Sequence, residues 1–251
     1  MRALKRAVRG ALRHAGYELR PTLAAEFDPT FLAHYAQMQD VGPVDLKAAS
    51  TFDAVAYVIG RNVPGAFAEC GVWRGRQMTL IAQALLQRGV TDRDLYLYDT
   101  FSGMVSPTPE DSSRVQQEWQ DRRKLEDGTT TWNRAELADV QSVMARSGYP
   151  ANRVHFIVGD VRTRLPSHPQ SPIALLRLDT DFYASIRAGL ERLYPCVSSG
   201  GVLLIDDYGA ARYPGVRRAV DEYFATRPTF LLRTQSPAER AAVKVSSAGA
   251  S

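Results

Sequence analysis

The stretch "FAECGVWRG", residues 67–75, decides the fold. It belongs to a short, mostly apolar run that predicts a buried strand, and an amphipathic stretch over 76–88 predicts the helix that follows. Gly71 and Gly75 predict a tight turn between the two. A strand, a glycine-rich turn and a helix form the unit from which parallel sheets are built, and such sheets bind ligands at this turn.

From Pro64 onward, the chain repeats this alternation of short apolar runs and amphipathic, helix-length stretches. Runs that are apolar on both faces are typical of parallel strands covered by helices. The later predicted strands are "LYLYDT" (95–100), "VHFIVGD" (154–160), "IALLRLDTD" (173–181) and "GVLLIDDYG" (201–209), and the predicted helices are 76–88, 184–194 and 215–226. Residues 229–247 predict two strands joined by a polar loop, which close the sheet with an antiparallel edge. The pattern predicts an α/β fold.

Two segments lie outside this alternation. Before it, residues 28–39 and 50–62 predict two helices. Within it, the polar segment from Ser106 to Asn152 is too long for an ordinary connection and predicts a helical lid over the ligand site. We therefore predict an N-terminal helical extension over 1–63 and a ligand-binding domain over 64–251 with a lid insertion at about 105–150.

The composition is that of a globular protein with one sizeable core. Of its 251 residues, 45% are apolar. Cys70 and Cys196 stand outside any CxxC or Cys/His cluster, which disfavours a disulfide scaffold or a zinc site and favours a reducing, cytoplasmic environment. No stretch reaches the roughly 20 apolar residues that span a bilayer. The net charge of +4 is mild, and no basic patch interleaved with aromatic residues recurs along the chain, so we expect no nucleic-acid partner.

The first twenty residues carry much of the basic excess. Their apolar side chains fall on one helical face, with arginines and lysine over the rest, and no uninterrupted apolar segment of a signal peptide follows. A basic amphipathic helix can pack on its own domain, on a second subunit or on an anionic membrane. The sequence favours packing on protein, including a homodimer, over peripheral contact with the inner membrane surface.

Two predicted strands each end in a pair of acids. Asp179 and Asp181 follow one strand, and Asp206 and Asp207 follow the other. Carboxylates crowded at neighbouring strand ends repel one another unless a proton or a metal ion joins them. The acid pairs therefore predict a shared proton or cation at the ligand-binding edge of the sheet.

The turn after the first strand disfavours a dinucleotide. In the GxGxxG fingerprint the second glycine lets the backbone approach a pyrophosphate, and Trp73 occupies that place here. The chain also lacks the GxxxxGK[ST] pattern of a P-loop. What remains is an acid before the first glycine, in the form Glu69-x-Gly71-x-x-x-Gly75, with Asp99 at the end of the next strand.

These residues, together with Asp160 in "VGDV", resemble the S-adenosylmethionine site of class I methyltransferases. The resemblance implies a Rossmann-like, mostly parallel seven-stranded sheet with helices on both faces, in a methyltransferase domain over 64–251. It implies that the turn at Glu69 carries the amino-acid part of the cofactor, that Asp99 accepts the ribose hydroxyls and that Asp160 faces the adenine. The cofactor-binding residues it implies are Glu69, Gly71, Val72, Trp73, Gly75, Asp99, Thr100, Ser102, Asp160, Val161 and Asp179.

Further stretches are similar to the TylF/MycF/NovP group of sugar O-methyltransferases over about residues 64–226. They are "ECGVWRG", "YDTFSGM", "LRLDTDFYAS", "LYPCVSSGGVLLIDDYG" and "AVDEYF". This resemblance implies that Asp179, Asp206 and Asp207 hold Mg²⁺ and that Asp179 is also the general base. It implies methyl transfer to a small-molecule or oligosaccharide substrate with vicinal hydroxyls, in a glycoside, glycolipid or polysaccharide. The segment at 105–150 shows little of the family pattern, so the acceptor is not identified.

Three residues beside these acids have two interpretations each. Asp181 binds the substrate or caps the helix that begins near Phe182. Tyr183 and Tyr208 form the wall of the substrate pocket or belong to the core.

Other functions fit parts of the pattern. A catechol-type O-methyltransferase would use the same metal and cofactor on phenolic hydroxyls. A glycosyltransferase uses a DxD pattern such as that of Asp179 and Asp181, but it needs neither the acid-glycine turn nor Asp99. A binding module without turnover should lack the metal acids, and all three are present. We therefore predict a magnesium-dependent enzyme that uses S-adenosylmethionine.

Overall fold

The computed structural model describes residues 27–165, 172–227 and 229–245. Its strands are β1 (Ala66–Cys70), β2 (Leu95–Asp99), β3 (Val154–Val158), β4 (Ile173–Leu178), β5 (Val197–Ile205), β6 (Leu232–Arg233) and β7 (Arg240–Val243). They form one seven-stranded sheet in the order β3-β2-β1-β4-β5-β7-β6. Strands β1 to β5 pair in parallel, and β7 is antiparallel to both of its neighbours. The predicted α/β fold and its antiparallel edge are confirmed.

Helices cover both faces of this sheet. They are α1 (Pro29–Tyr35), α2 (Leu46–Gly60), α3 (Arg76–Leu86), α4 (Ser113–Asp121), α5 (Leu137–Arg146), α6 (Val161–Arg164), α7 (Tyr183–Arg192) and α8 (Pro214–Phe224), with 3₁₀ turns at Ala151–Arg153 and Tyr194–Cys196. Along β1, Phe67 packs into the core formed with α2 and α3, whereas Ala68 and Cys70 pack into the core formed with α7 and α8. Because both faces are covered, the strand is apolar at nearly every position.

Helix α2 begins at Leu46, earlier than the predicted start at residue 50. The carboxylate of Asp45 accepts the backbone N–H of Ala48 at 2.7 Å, which satisfies one of the free donors of the first turn. Asp45 lies outside the apolar repeat from which the start at residue 50 was predicted. The earlier start brings Lys47 into the first helical turn.

The N-terminal helices pack on the sheet. Phe31 of α1 and Phe52 of α2 lie in the same core cluster as Phe67 and Leu97 of the sheet. The division of the chain at residue 63 stays a prediction. The predicted basic helix over residues 1–20 lies outside the described residues. In the part of the chain that the structure describes, no helix has the length and apolar character needed to cross a bilayer.

The predicted lid segment contains helices α4 and α5. Val115 of α4 and Trp132 pack against Phe182, which precedes α7. The buried carboxylate of Asp111 accepts the backbone N–H of Tyr183 at 2.9 Å. These contacts fix the segment beside the C-terminal end of β4, next to the predicted acids.

Candidate active site

The C-terminal ends of β1, β2, β4 and β5 open onto one cavity with a volume of about 430 Å³. The predicted site residues that line it are Glu69, Gly71, Val72, Trp73, Asp99, Thr100, Asp160, Val161, Asp179, Asp181, Asp206 and Asp207. The structure thus brings the predicted cofactor turn and both acid pairs to one place, because the carboxyl ends of parallel strands meet at one edge of the sheet.

The turn after β1 requires glycine. Gly71 has a φ of +85°, and a Cβ at this position would lie 2.0 Å from the backbone oxygen of Asp179. The glycine therefore permits the chain after β1 to approach the chain after β4. Trp73 also has a positive φ, +47°, which is costly for a residue with a side chain. The carboxylate oxygen Oδ2 of Asp99 stabilises this turn by accepting the N–H groups of Val72 and Trp73, at 2.7 and 2.9 Å.

Asp99 also fixes the loop that follows β2. Its Oδ1 accepts the N–H of Phe101 at 2.8 Å, and the hydroxyl of Thr100 donates to the carbonyl of Gly103 at 2.7 Å. Asp99 therefore joins two loops of the cavity wall. This positioning role adds to the ribose contact that the sequence predicts.

Asp160 lies at the cavity edge after β3. It caps α6 by accepting the N–H of Arg162 at 2.9 Å, and the Nε of the same arginine donates to its Oδ2 at 2.8 Å. The neighbouring Val161 is buried. The acid is thus held by the arginine two residues later and still lines the cavity.

A fully buried arginine, Arg177, connects the cofactor turn to the acid pairs. Its guanidinium forms ion pairs with four carboxylates. These are Glu69 (3.0 Å), Glu239 (3.1 Å), Asp179 (2.8 Å) and Asp206 (2.9 Å). The side chains of Glu69, Glu239 and Asp206 are buried and that of Asp179 is one-quarter exposed, so four carboxylates share one guanidinium. This crowding favours the protonated form of some of these carboxyls.

Glu69 shows the effect of burial most clearly. Burial raises the pKa of its carboxyl to about 8, although the Arg177 guanidinium opposes the rise. Its Oε1 accepts from Arg177, whereas its Oε2 is buried and has no hydrogen-bond partner among the described residues. Because Glu69 lines the cavity, this unpaired acceptor can serve a ligand.

Three acids form a compact cluster. Asp179, Asp181 and Asp207 each offer a carboxylate oxygen, and these oxygens lie within 4.8 Å of one another. Asp181 and Asp207 have positive φ angles of +62° and +54°. Burial, and then the negative charge of a neighbouring aspartate, raises the pKa of Asp179 and Asp181 well above the usual range. The backbone is strained where it brings these charges together, a combination typical of functional sites.

Asp206 lies beside this cluster but is bound differently. Its Oδ2 accepts from the Nζ of Lys47 at 2.6 Å and from Arg177, and its Oδ1 accepts the N–H of Asp207 at 2.9 Å. Burial acts to raise the pKa of Asp206, but the positive charges of Arg177 and Lys47 outweigh it and keep the pKa below its usual value. The predicted role of Asp206 as a metal ligand stays a prediction.

The cluster suits a divalent cation. Its donors are carboxylate oxygens, the ligands that Mg²⁺ prefers, and their close spacing is unfavourable without a positive charge between them. Asp179 and Asp207 belong both to this cluster and to the predicted ligand set, and Asp181 is the additional member.

Four predicted site residues are not among the described residues that line the cavity. Gly75 is the N-cap of α3, and the hydroxyl of Ser102 bonds to that of Thr129. The hydroxyls of Tyr183 and Tyr208 donate to Glu222 and Asp221 of α8, each at 2.6 Å. Their roles toward a ligand stay predictions.

The sequence analysis did not identify Lys47, Arg177 or Glu239. For Arg177 a signal existed, because a charged residue inside an apolar central strand must be paired with acids when buried. Lys47 and Glu239 lie far from the acids in sequence. The packing of α2 on the sheet brings Lys47 close, and the pairing of β7 with β5 brings Glu239, which directly precedes β7.

Comparisons with known proteins identify relatives of this chain. A family model described as macrocin O-methyltransferase (TylF) matches residues 44–229. The demethyldecarbamoylnovobiocin O-methyltransferase of Streptomyces niveus is 35% identical over 179 residues, covering 67% of this chain and 61% of that relative. The 8-demethyl-8-(2,3-dimethoxy-alpha-L-rhamnosyl)-tetracenomycin-C 4'-O-methyltransferase of Streptomyces olivaceus is 34% identical over 169 residues, with the same coverage of 67% and 61%. The chain thus spans 61% of the length of these curated relatives.

A solved structure agrees with the fold. The structure of the O-methyltransferase NovP is similar to this chain with a TM-score of 0.70 and 28% identity, covering 80% of each chain. The predicted resemblance to this group of proteins is confirmed.

Proposed function

The chain belongs to the macrocin O-methyltransferase (TylF) family, and on that premise we propose that it transfers the methyl group of S-adenosylmethionine to a sugar hydroxyl with the help of Mg²⁺. The observation that supports this most strongly is that one cavity is lined by both the Glu69–Trp73 turn and the aspartate cluster. A methyl donor and a cation can therefore lie beside the same acceptor hydroxyl.

The part of the cavity lined by Glu69, Trp73, Asp99 and Asp160 suits S-adenosylmethionine. The unpaired Oε2 of Glu69 can accept a hydrogen bond from the ammonium group of the amino-acid part. Asp99 and Asp160 line the same cavity and can accept from the ribose hydroxyls and the adenine amino group. Trp73, which is 47% exposed, adds an aromatic wall at the mouth.

The acids suit the chemistry of a sugar hydroxyl, which holds its proton too tightly to attack a methyl group at neutral pH. Bound Mg²⁺ would stabilise the negative charge that develops on the acceptor oxygen. Asp179, Asp206 and Asp207 are the ligands that the family resemblance implies, and the geometry adds Asp181. Asp179 is the proton acceptor that the family resemblance implies, and it lies in the cavity with the other acids of the cluster.

The acceptor is the part of the proposal that the relatives support most directly. By its name, the Streptomyces olivaceus relative methylates the 4' oxygen of a rhamnosyl tetracenomycin. Met104, Val105 and Asn133 of the lid side also line the cavity, so this segment can contact the acceptor. We therefore propose a sugar hydroxyl of a glycoside as the acceptor, and a catechol is the alternative acceptor. The vicinal diol stays a prediction, because the rhamnosyl group of that relative's substrate already carries methoxy groups at positions 2 and 3.

A panel of acceptors tests this proposal. Rhamnosides, mannosides, other hexosides and a catechol are each incubated with S-adenosylmethionine and Mg²⁺, and the methylated product and S-adenosylhomocysteine are measured by mass spectrometry. We expect a glycoside to be methylated at least about a hundredfold faster than the catechol, since a pocket shaped for one acceptor discriminates strongly against another. Methylation of the catechol alone would favour the alternative, and binding of NAD in place of S-adenosylmethionine would refute the cofactor assignment.

The buried carboxyl of Glu69 predicts a proton linked to cofactor binding. With a pKa of about 8, Glu69 is mostly protonated at pH 7 in the free protein. An ammonium group at Oε2 favours the ionised form and lowers this pKa, so a proton must leave when the cofactor binds. We expect S-adenosylhomocysteine binding to release up to one proton at pH 7, and little above about pH 9, where Glu69 is already ionised.

Calorimetry in buffers of different ionisation enthalpy measures this release. The matched variant Glu69→Gln keeps the shape of the side chain and should bind S-adenosylhomocysteine more weakly, without releasing this proton. A wild-type protein that releases no proton at pH 7, or takes one up, contradicts the assignment.

A further inference from the structure

The N-terminal helix α2 places a lysine in the cavity. Lys47 lies in the first turn of α2, and its side chain is one-third exposed. Its Nζ lies 2.6 Å from the Oδ2 of Asp206 and 3.4 Å from the Oδ1 of Asp207. The ammonium group thus bridges the acid pair that follows β5, although it comes from the opposite end of the chain.

The charges around this bridge are unequal. Asp179, Asp181, Asp206 and Asp207 all line the cavity. Among the described residues, Lys47 and Arg177 are the cations within ion-pair distance of these acids. Arg177 is shared with Glu69 and Glu239 and is fully buried, so it is fixed in place. Lys47 is the cation of this pair whose side chain reaches solvent and can move.

We propose that Lys47 is a tethered counter-ion that competes with the divalent cation for Asp207 and thereby sets the metal affinity of the site. The inference rests on the proposed function, because it takes the aspartate cluster as the metal site. Asp207 belongs to that cluster, and its Oδ1 is the atom that Lys47 approaches. A divalent cation held by Asp207 is repelled by an ammonium group at that distance, so the lysine must withdraw toward solvent when the metal binds.

This arrangement has a direct consequence for metal affinity. Removing the ammonium charge eliminates a competitor and increases the net negative charge of the cluster, and both effects favour the metal. A unit charge beside a divalent ion in a partly buried site changes the affinity by a factor of about ten or more. If Lys47 acts only as a support, removing its charge should weaken metal binding, because the acids would then lose the contact that holds them in place.

Binding of Mn²⁺ to the full-length protein, measured by electron paramagnetic resonance without acceptor, tests the proposal. We expect Lys47→Met to bind Mn²⁺ at least about tenfold more tightly than wild type. Lys47→Arg retains the charge and should stay within about threefold of wild type. The control Lys244→Met removes the same charge where the lysine binds the carbonyls of Tyr194 and Pro195, at the other end of β5, and should have little effect.

Unchanged or weaker Mn²⁺ binding by Lys47→Met would overturn the proposal. If wild type binds no Mn²⁺ in any condition, the proposed metal site fails, which is a different result.

Side-chain NMR of isotope-labelled lysines provides a measurement that does not depend on the folding of Lys47→Met. The Lys47 signal is assigned as the one that is lost in Lys47→Arg. Adding Mg²⁺ to wild type should shift this signal and leave the Lys244 signal in place. An unmoved Lys47 signal at saturating Mg²⁺ also overturns the proposal.

Discussion

Replacing Asp179 by asparagine should lower the rate of methyl transfer by a factor of about 10² to 10⁴, even at saturating Mg²⁺. The variant loses one carboxylate oxygen of the aspartate cluster. In the proposed mechanism it also loses the proton acceptor. An amide cannot accept the proton of the sugar hydroxyl at any metal concentration. Initial rates measured over a range of Mg²⁺ concentrations, with the identified acceptor at saturation, give this value.

Asp207→Asn is the matched control for this variant. Asp207 belongs to the same cluster, so its asparagine variant also loses a charged ligand but leaves a neutral oxygen in place. Raised Mg²⁺ should therefore restore part of its activity. Both variants should still bind S-adenosylmethionine in calorimetry, because Glu69 to Trp73, Asp99 and Asp160 are intact. If raised Mg²⁺ rescued Asp179→Asn as well as it rescues Asp207→Asn, the assignment of the base would be wrong.

Replacing Arg177 by methionine should lower the free energy of unfolding by about 3 to 5 kcal/mol. The guanidinium is fully buried and is bonded to Glu69, Glu239, Asp179 and Asp206. Without it, the one remaining cation within ion-pair distance of these carboxylates, among the residues that the structure describes, is Lys47 near Asp206. Urea unfolding of the purified variant measures the loss.

The pH dependence identifies the cause of this loss. Carboxyls left unpaired in the folded state have raised pKa values, so between about pH 4 and neutral pH the folded state holds more protons than the unfolded state. The free energy of unfolding of Arg177→Met should therefore decrease as the pH rises from 5 to 8. Arg218→Met removes an exposed arginine paired with Glu222 and should cost at most about 1 kcal/mol. If Arg177→Met also lost no more than about 1 kcal/mol at pH 8, Arg177 would not stabilise the buried carboxylates as described.

The sequence predicted the sheet well because strands buried on both faces leave a strong signal. The apolar runs at β1, β4 and β5 stand out from the amphipathic stretches between them, and the acids at their ends mark the ligand-binding edge. The start of α2 was less predictable, because a single cap at Asp45 outside the apolar repeat determines it. Local patterns therefore predict which elements exist better than where each one begins.

The site was predictable to the extent that its residues follow strands. Glu69, Asp99, Asp160 and Asp179 all line the cavity because each lies at or near the end of a parallel strand. Lys47 reaches the same place from α2 and Glu239 from the residue before β7, and no local pattern contains that information. Tyr183 and Tyr208 lie close to the acids in sequence, but their hydroxyls bond to acids of α8. Closeness in sequence was therefore a weaker guide to the site than position at the end of a strand.

The metal requirement of methyl transfer tests the central claim most directly, namely that Mg²⁺ at the aspartate cluster assists transfer from S-adenosylmethionine to the hydroxyl. The rate is measured on the glycoside that the panel identifies, first in EDTA and then after Mg²⁺ is added in excess. We predict no methylated product above background in EDTA, although S-adenosylmethionine still binds, and full recovery on adding Mg²⁺, because the developing charge on the oxygen needs the cation. A wild-type protein that is fully active in EDTA would contradict the account.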